Sequence, residues 1–294
     1  MTASDSFEWT TSKARAAVRA LMPVEADLAF RRRCETVVEF LNADPEARIL
    51  DCGCGYGFLL RVLVETTHAQ FVGLDLDQSR LNHVREHQPD QCHVSLMVGN
   101  AQSLPFATGE FTHVVCSEVL EHLDDDQAAL AELCRVLQPG GVAAITVPSA
   151  EYPITWDPPN FLLERLTGRS LRGERPWSGI WYGHRRLYRP AQLRRLLEEA
   201  GFEVEEERSL THSCPPFAHL LLYGLLKPLL VRGLLPRRLS GVGDRFRSPE
   251  TPISAPVRLA MRVLERIDRP NDDPQQAEHV RTFVALAIKG RKPM

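Results

Sequence analysis

Short apolar runs alternate with amphipathic stretches through the middle of the chain. Ala47–Asp51 (ARILD) is an apolar run ending in an acid and glycines, Phe71–Asp75 (FVGLD) is a second, and His93–Val98 and His113–Ser117 are a third and fourth. Between them, Leu59–Val64 lies on a helix, and Arg80–His87 is a helix with Leu81 and Val84 turned inward. Asp124–Asp126 cap a helix on which Leu130, Leu133 and Leu137 recur at helical spacing, and Pro139-Gly140-Gly141 turns the chain into a fifth run, Val142–Val147. Strands taking turns with helices predict an α/β fold: a mostly parallel sheet with helices on both faces.

The pattern changes toward both ends. Residues 13–43 read as helical: Leu28, Val37, Val38 and Leu41 mark an apolar stripe, Arg31 to Arg33 form a basic patch, and Asp44-Pro45 breaks the pattern. After Ser149 the alternation stops for about 35 residues rich in Pro, Trp and Arg, long for a plain connection. Pro190 then opens a helix with Leu193, Leu196 and Leu197 on one face and Gly201 just past its end. Phe202–Leu210 reads as a strand, and Thr282–Ile288 (TFVALAI) as the last one.

Composition narrows the class. The chain has 294 residues, 44% apolar and 25% charged, as in an ordinary globular protein. A net charge of −3 gives the whole chain no electrostatic reason to seek nucleic acid. No basic start leads into an apolar run at the N-terminus, so no signal peptide is expected. The seven cysteines, at 34, 52, 54, 92, 116, 134 and 214, form no CxxC pair, and their odd number suits a reduced compartment. With no HExxH or comparable ligand spacing, no metal is expected.

The candidate chemistry begins at Asp51, in D-C-G-C-G-Y-G. Gly53, Gly55 and Gly57 stand where a strand turns into a helix, where glycine permits a tight turn and close backbone approach to a ligand. Asp75 ends the next strand, where a carboxylate can accept hydrogen bonds from both ribose hydroxyls. The spacing is G-x-G-x-G, not the dinucleotide G-x-G-x-x-G.

DCGCGYG, GLD, GNAQSLPF, FTHVVCSEVLEHL and LQPGG resemble, in order and spacing, the successive motifs of class I S-adenosylmethionine (SAM)-dependent methyltransferases, most of all the quinone and small-molecule group. The resemblance covers residues 47–149 and extends more loosely through 183–202 and the last strand. It implies a Rossmann-like seven-stranded sheet. It also implies that Asp51 and the backbone of Gly53 and Gly55 hold the methionine end of SAM, with Cys54 between them. Asp75 would take the ribose hydroxyls with Leu76 beside it, Asn100 and Ala101 would lie beside the adenine, and Ser117 would face the sulfonium. The family often has Asp where this chain has Asn100, and an amide can still accept from the adenine amino group. Tyr56 either closes over the cofactor or packs.

Four segments follow: 1–44, an N-terminal helical cap; 45–212, the SAM-binding domain with an acceptor-side insertion at 150–185; 213–279, an apolar and basic helical insertion; and 280–294, the last strand of the SAM-binding domain. Methyl transfer needs alignment above all, and a base only if the acceptor keeps its proton. His122, flanked by Glu118 and Glu121, and His184 are the candidate catalytic residues. His122 alternatively buttresses the loop after the fourth strand, His184 alternatively only lines the acceptor pocket, and Glu121 reads as structural. Trp156, Asp157, Trp181, Tyr182 and His212 suit the mouth of a partly apolar pocket, or a packed loop.

In 213–279 the apolar run at 217–235 is interrupted by Lys227, Pro228 and Arg232, and so falls short of a membrane span. Arg237, Arg238, Arg245 and Arg247 follow, and Arg258, Arg262 and Arg266 stand opposite Val257, Ala260 and Leu264 on a basic amphipathic helix. This insertion is a lid over a hydrophobic acceptor, a peripheral membrane contact through 217–266, or a packing or dimer element. A cytoplasmic protein is expected, with contact at the inner membrane face under the second reading. The expected reaction is methylation of a small hydrophobic or lipid-like acceptor, at oxygen or carbon rather than nitrogen. The alternative is a catalytically silent SAM-binding sensor or partner protein. A polyamine-type aminopropyltransferase is disfavoured by the Arg- and Trp-rich 151–190 segment. A nucleic-acid methyltransferase is disfavoured because CSEVLEH stands where an [ND]PP[YFW] motif would be.

Overall fold

The computed structural model describes residues 11–67, 69–87, 93–226, 229, 245, 252–273 and 280–294. Its centre is a seven-stranded sheet in the order β3-β2-β1-β4-β5-β7-β6. The strands are β1 (Arg48–Cys52), β2 (Gln70–Asp75), β3 (Val94–Val98), β4 (Phe111–Ser117), β5 (Leu137–Pro148), β6 (Glu203–Leu210) and β7 (Ala285–Arg291). The first five are parallel, and β7 inserts antiparallel between β5 and β6. The strand order reverses between β1 and β4, so their carboxyl ends open a crevice where such sheets bind ligands.

Helices α1 (Thr11–Leu21), α2 (Leu28–Leu41) and α3 (Phe58–Thr66) pack with the sheet in one cluster, through Val18, Val37, Leu63 and Ile49. Helix α5 (Asp126–Val136) and α7 (Pro190–Glu199) pack in the other, through Leu130, Leu133, Leu193 and Leu197. Helix α4 (Gln78–His87) turns Leu81 and Val84 inward as its spacing predicts. Asp125 caps α5 by accepting the Ala128 N–H at 2.9 Å.

Two expectations from the pattern give way. The helical stretch 13–43 is broken at 22–27, because Asp27 accepts the Phe30 N–H at 2.9 Å and starts a new helix. Arg31 to Arg33 are not a solvated patch. Arg31 and Arg32 are buried, and Arg32 holds Asp268 with its Nε 3.1 Å from Oδ2 and Asp272 with its Nη1 at 2.8 Å. Asp268 ends α8 (Ala255–Asp268), so a buried ion pair ties this late helix to α2. Of the amphipathic pattern on α8, Val257 and Met261 are buried against Val24 and Leu28 with Leu264 beside them, but Ala260 faces solvent with the arginines.

The segment after Ser149 holds a helix the sequence pattern did not predict, α6 (Pro158–Thr167). Its start explains Asp157-Pro158-Pro159-Asn160: Asp157 is the N-cap, Pro158 takes the first helical position, and Asp157 also accepts the Ile180 N–H at 2.8 Å. A π-helical turn covers Leu220–Leu226. Lys227, Pro228, Arg232, Arg237, Arg238 and Arg247 of the expected insertion, and Cys92, lie outside the described residues.

Candidate active site at the carboxyl edge of the sheet

The loop after β1 is shaped by its glycines. Gly53 has φ +79°, and a Cβ there would meet Val119 Cγ2 at 2.4 Å, so the turn is closed against the residue that follows the next parallel strand. Gly55 has φ +54°, and a Cβ there would meet nothing within 4 Å, which leaves its outer face as an open cradle. Cys54 is buried beneath the loop.

Two buried carboxylates flank that cradle. Asp75 accepts the Gly55 N–H at 2.9 Å through Oδ2 and the Asp77 N–H at 2.9 Å through Oδ1, so it braces the loop as well as facing the cradle. Asp51 Oδ2 has no hydrogen-bond partner, and burial, then the Asp75 charge, pushes the Asp51 carboxyl up to about 7. A buried carboxylate oxygen without a partner is costly and suits a ligand that brings a positive charge. Leu76 is exposed, Ala101 is buried, and Asn100 folds its own loop by accepting the Gln102 N–H at 2.9 Å. Tyr56 is half exposed, set edge-on to His83. The loop's N–H groups are engaged, Gly53 and Cys54 with the Leu74 carbonyl and Gly55 with Asp75, so Asp51 fits the cationic amino group of SAM and Asp75 its ribose.

Around the end of β4 the polar side chains converge. Ser117 and Thr146 share a hydrogen bond of 2.8 Å, and Thr146 lies 3.2 Å from Glu118 Oε1. Glu118 has φ +58°, an unusual conformation for its type, and its Oε2 pairs with the Arg33 guanidinium at 3.4 Å. Burial opposes charge on Arg33, but Glu118 and Asp27 outweigh it and hold the guanidinium protonated. Glu121 is fully buried with neither oxygen hydrogen-bonded, and burial, then the Glu118 charge, pushes its carboxyl well up. His122 and His184, both expected here, are brought together with ring centroids 4.9 Å apart. His122 Nδ1 lies 2.9 Å from the Gly183 carbonyl. His184 is mostly buried, and desolvation, then His122, pushes its pKa down to about 3. It is a neutral imidazole at physiological pH.

Next to the N-terminal helices, side chains from α2 and the late segments form a second network. Trp156 is buried edge-on to His219, which stacks on Tyr223. The Tyr223 hydroxyl donates to Asp27, and Arg245 pairs with Glu25 at 2.6 Å while its guanidinium lies 3.8 Å from the Phe30 ring centroid and 5.1 Å from that of Phe58. Phe58 begins the helix that follows the glycine loop, so Arg245 reaches the cradle's rim. Beside this network is an apolar cavity of about 270 Å³ lined by Leu28, Ala29, Trp156, Ala218, Leu222 and Leu264, among others.

Not every expected mouth residue is there. His212 lies 3.1 Å from the Thr282 carbonyl and 3.2 Å from that of Ser209, joining the chain beyond β6 to that before β7. Asp157 is spent on capping, and Trp181 donates its indole N–H to Glu164. Tyr182 is exposed. Asp27, Arg33, Tyr223 and Arg245 had no sequence signal of their own, since their roles depend on contacts between distant segments.

Residues 50–145 match the family model described as a methyltransferase domain. A protein of Mycolicibacterium smegmatis described as "probable S-adenosylmethionine-dependent methyltransferase" is 33% identical over 62% of this chain and 62% of its own length. The 24-methylenesterol C-methyltransferase 2 of Oryza sativa subsp. japonica is 29% identical over 62% of this chain and 48% of its own. The matches therefore span about half to three-fifths of these relatives. Among solved structures, the 4+2 cyclase SpnF superposes with a TM-score of 0.56 at 19% identity, covering 90% of this chain and 80% of that one, a likeness of fold alone.

Proposed function

We propose that this chain, a member of the class I SAM-dependent methyltransferase family through residues 50–145, methylates a small hydrophobic or lipid-like acceptor at oxygen or carbon. The observation that carries the cofactor half is the cradle after β1, where Asp51 keeps a buried carboxylate oxygen without a partner and Gly55 leaves open space. When bound, SAM supplies the electrophilic methyl group together with its leaving group. Asp51 and the Gly53–Gly55 backbone hold the amino-acid end, Asp75 the ribose, Asn100, Ala101 and Leu76 the adenine, and Ser117 sits at the strand end nearest the acceptor. The protein's main work is alignment and exclusion of water. His122 and His184 stand ring to ring as the candidate catalytic pair, with His122 oriented by the Gly183 carbonyl.

The apolar cavity supports the greasy acceptor. Its Trp156 packs edge-on to His219, and Arg33, whose charge acts on the lining residue Asp27, pairs with Glu118 after β4. Tyr223 and Arg245 favour the lid reading of 213–279, because they tie the insertion to Asp27, Glu25 and the cofactor rim. The test is methyl transfer from labelled SAM to a panel of amphipathic lipids, quinols and polyketide-like phenols, with wild type and Ala218→Trp. Filling the cavity is expected to cut turnover at least tenfold while SAM affinity holds; equal turnover on every accepted compound refutes the assignment of the cavity.

A second reading has its own observation. Leu259, Val263 and Ile267 are exposed in one stripe of α8, next to exposed Arg258, Arg262 and Arg266. That is the chemistry of a helix resting on an anionic membrane surface, from which a lipid acceptor would be drawn. No helix among the described residues is long and apolar enough to cross a membrane. Sedimentation with vesicles containing anionic lipid, compared for wild type and Val263→Asp/Ile267→Asp, separates surface contact from a lid alone.

A further inference from the structure

We infer that Glu121, His122 and His184 form a binding site for a divalent transition-metal ion, seated beside the end of β4. The three residues each offer one ligand atom, and these lie within 4.8 Å of one another. Glu121 Oε1 is 3.7 Å from His122 Nε2 and 3.9 Å from His184 Nε2. Ligand atoms around one bound ion are ~3 Å apart at metal–ligand distances near ~2.1 Å, so closure needs side-chain shifts of under about 1 Å.

Three independent observations point to a cation. The first is Glu121, a fully buried carboxyl with both oxygens lacking any hydrogen bond. Such a group is costly to bury unless a proton or a cation compensates it. Arg33 acts on it only through space, for its guanidinium pairs with Glu118. The second is the tautomer of His122. Its Nδ1–H donates to the Gly183 carbonyl at 2.9 Å, which leaves the Nε2 lone pair free toward Glu121. A backbone carbonyl on the distal ring nitrogen is the usual support for a metal-bound histidine. The third is His184, whose mostly buried ring turns its Nε2 to the same carboxylate.

Two imidazoles and one carboxylate make a nitrogen-rich set that suits Zn²⁺, Fe²⁺, Mn²⁺ or Co²⁺ and is poor for Ca²⁺ or Mg²⁺. Three protein ligands leave coordination positions open. The His122 side chain is 45% exposed, so the ion has an entry path. Resting on the methyl-transfer reading, the ion would bind an acceptor oxygen and orient it, which favours acceptors bearing a hydroxyl, a phenol or adjacent oxygens. The sequence concealed this site because His184 is 62 residues beyond His122 and no short ligand motif links them.

A second cluster, His83, Glu86 and His87, lies on one exposed face of α4 and serves as the control. The full chain, stripped with chelator and dialysed, is titrated with Co²⁺ and followed by its visible d–d absorption, then with Zn²⁺ by competition. One equivalent with the visible bands of nitrogen and oxygen coordination is expected. Glu121→Gln and His184→Asn are each expected to weaken it by more than about tenfold, the least that losing even an outer-shell partner costs. His83→Ala/His87→Ala should leave it unchanged. Circular dichroism and SAM calorimetry on the same variants show that they are folded. No stoichiometric binding, binding unaffected in both Glu121→Gln and His184→Asn, or binding abolished only by the α4 double variant overturns the site. Since the readout is metal rather than turnover, its failure leaves the cofactor reading intact, and failure of SAM binding leaves the metal result intact.

Discussion

Asp51→Asn should make the protein more stable and worse at binding SAM, and the size of both effects should depend on pH. The carboxyl is buried, lacks a partner on Oδ2, and is pushed up to about 7 from an ordinary 3.8 by burial and then the Asp75 charge. At ~1.4 kcal/mol per pKa unit, a shift of about 3 units is on the order of 4 kcal/mol, an upper bound once local relaxation is allowed. A carboxyl whose folded pKa lies above its unfolded one gives up stability as pH rises between the two. The wild type thus has its full Asp51 contribution below about pH 4 and has lost it above about pH 7. The amide carries no such charge. The variant's stability advantage should be near zero at pH 4, grow through pH 5–6, and level off above pH 7. At roughly 2–4 °C per kcal/mol for domains a little smaller than this one, the plateau corresponds to several degrees in Tm. Thermal melts of both proteins across that range, with and without SAM, read it directly. A cationic ligand beside Asp51 reverses the penalty, so wild-type SAM affinity should rise with pH through 7 and binding near pH 7 should release a proton. The variant should bind at least tenfold more weakly with a flat profile. A stability difference independent of pH, or equal SAM affinity in the two proteins, would refute the reasoning.

Gly53→Ala places a Cβ 2.4 Å from Val119 in a left-handed conformation, and should reduce both stability and SAM affinity. Gly55→Ala meets no atom within 4 Å, so it should cost only the backbone strain of about 1–2 kcal/mol while filling the cradle, and affinity should fall more than stability. Paired melts and calorimetry compare them. Arg32→Leu strips a buried partner from Asp268 and should destabilise by about 3–5 kcal/mol, the usual cost of leaving such a charge unpaired. In chemical denaturation the double variant Arg32→Leu/Asp268→Leu should recover most of that loss. No recovery would mean that the pair is not what ties α8 to α2.

The parallel half of the fold was legible because each of its elements is specified locally. FVGLD has the apolar run of a buried strand, the glycines of DCGCGYG demand positive φ, and the leucines of α5 and α7 recur at helical spacing. The cradle around Asp51, Gly53, Gly55 and Asp75 was legible for the same reason, lying within one strand–turn–helix unit and the strand beside it. What was hidden depends on long-range pairing. Arg31 to Arg33 read as a basic patch because partners such as Asp268 and Asp272 for Arg32 and Glu118 for Arg33 come far later in the chain. Helix α6 was hidden by two prolines that break a strand or helix elsewhere but begin one after an aspartate cap. Glu121 read as structural since nothing in EVLEH reveals that its oxygens are left without donors or that His184 folds back against them.

The most direct test of the central claim is calorimetric titration of the folded protein with SAM and with S-adenosylhomocysteine, beside an Asp75→Ala variant. Asp75 both braces the Gly55 loop and faces the cradle. The account predicts one site of micromolar affinity in the wild type, for both ligands, and its loss in the variant. A folded wild-type protein that binds neither, with or without a hydrophobic acceptor present, would contradict it.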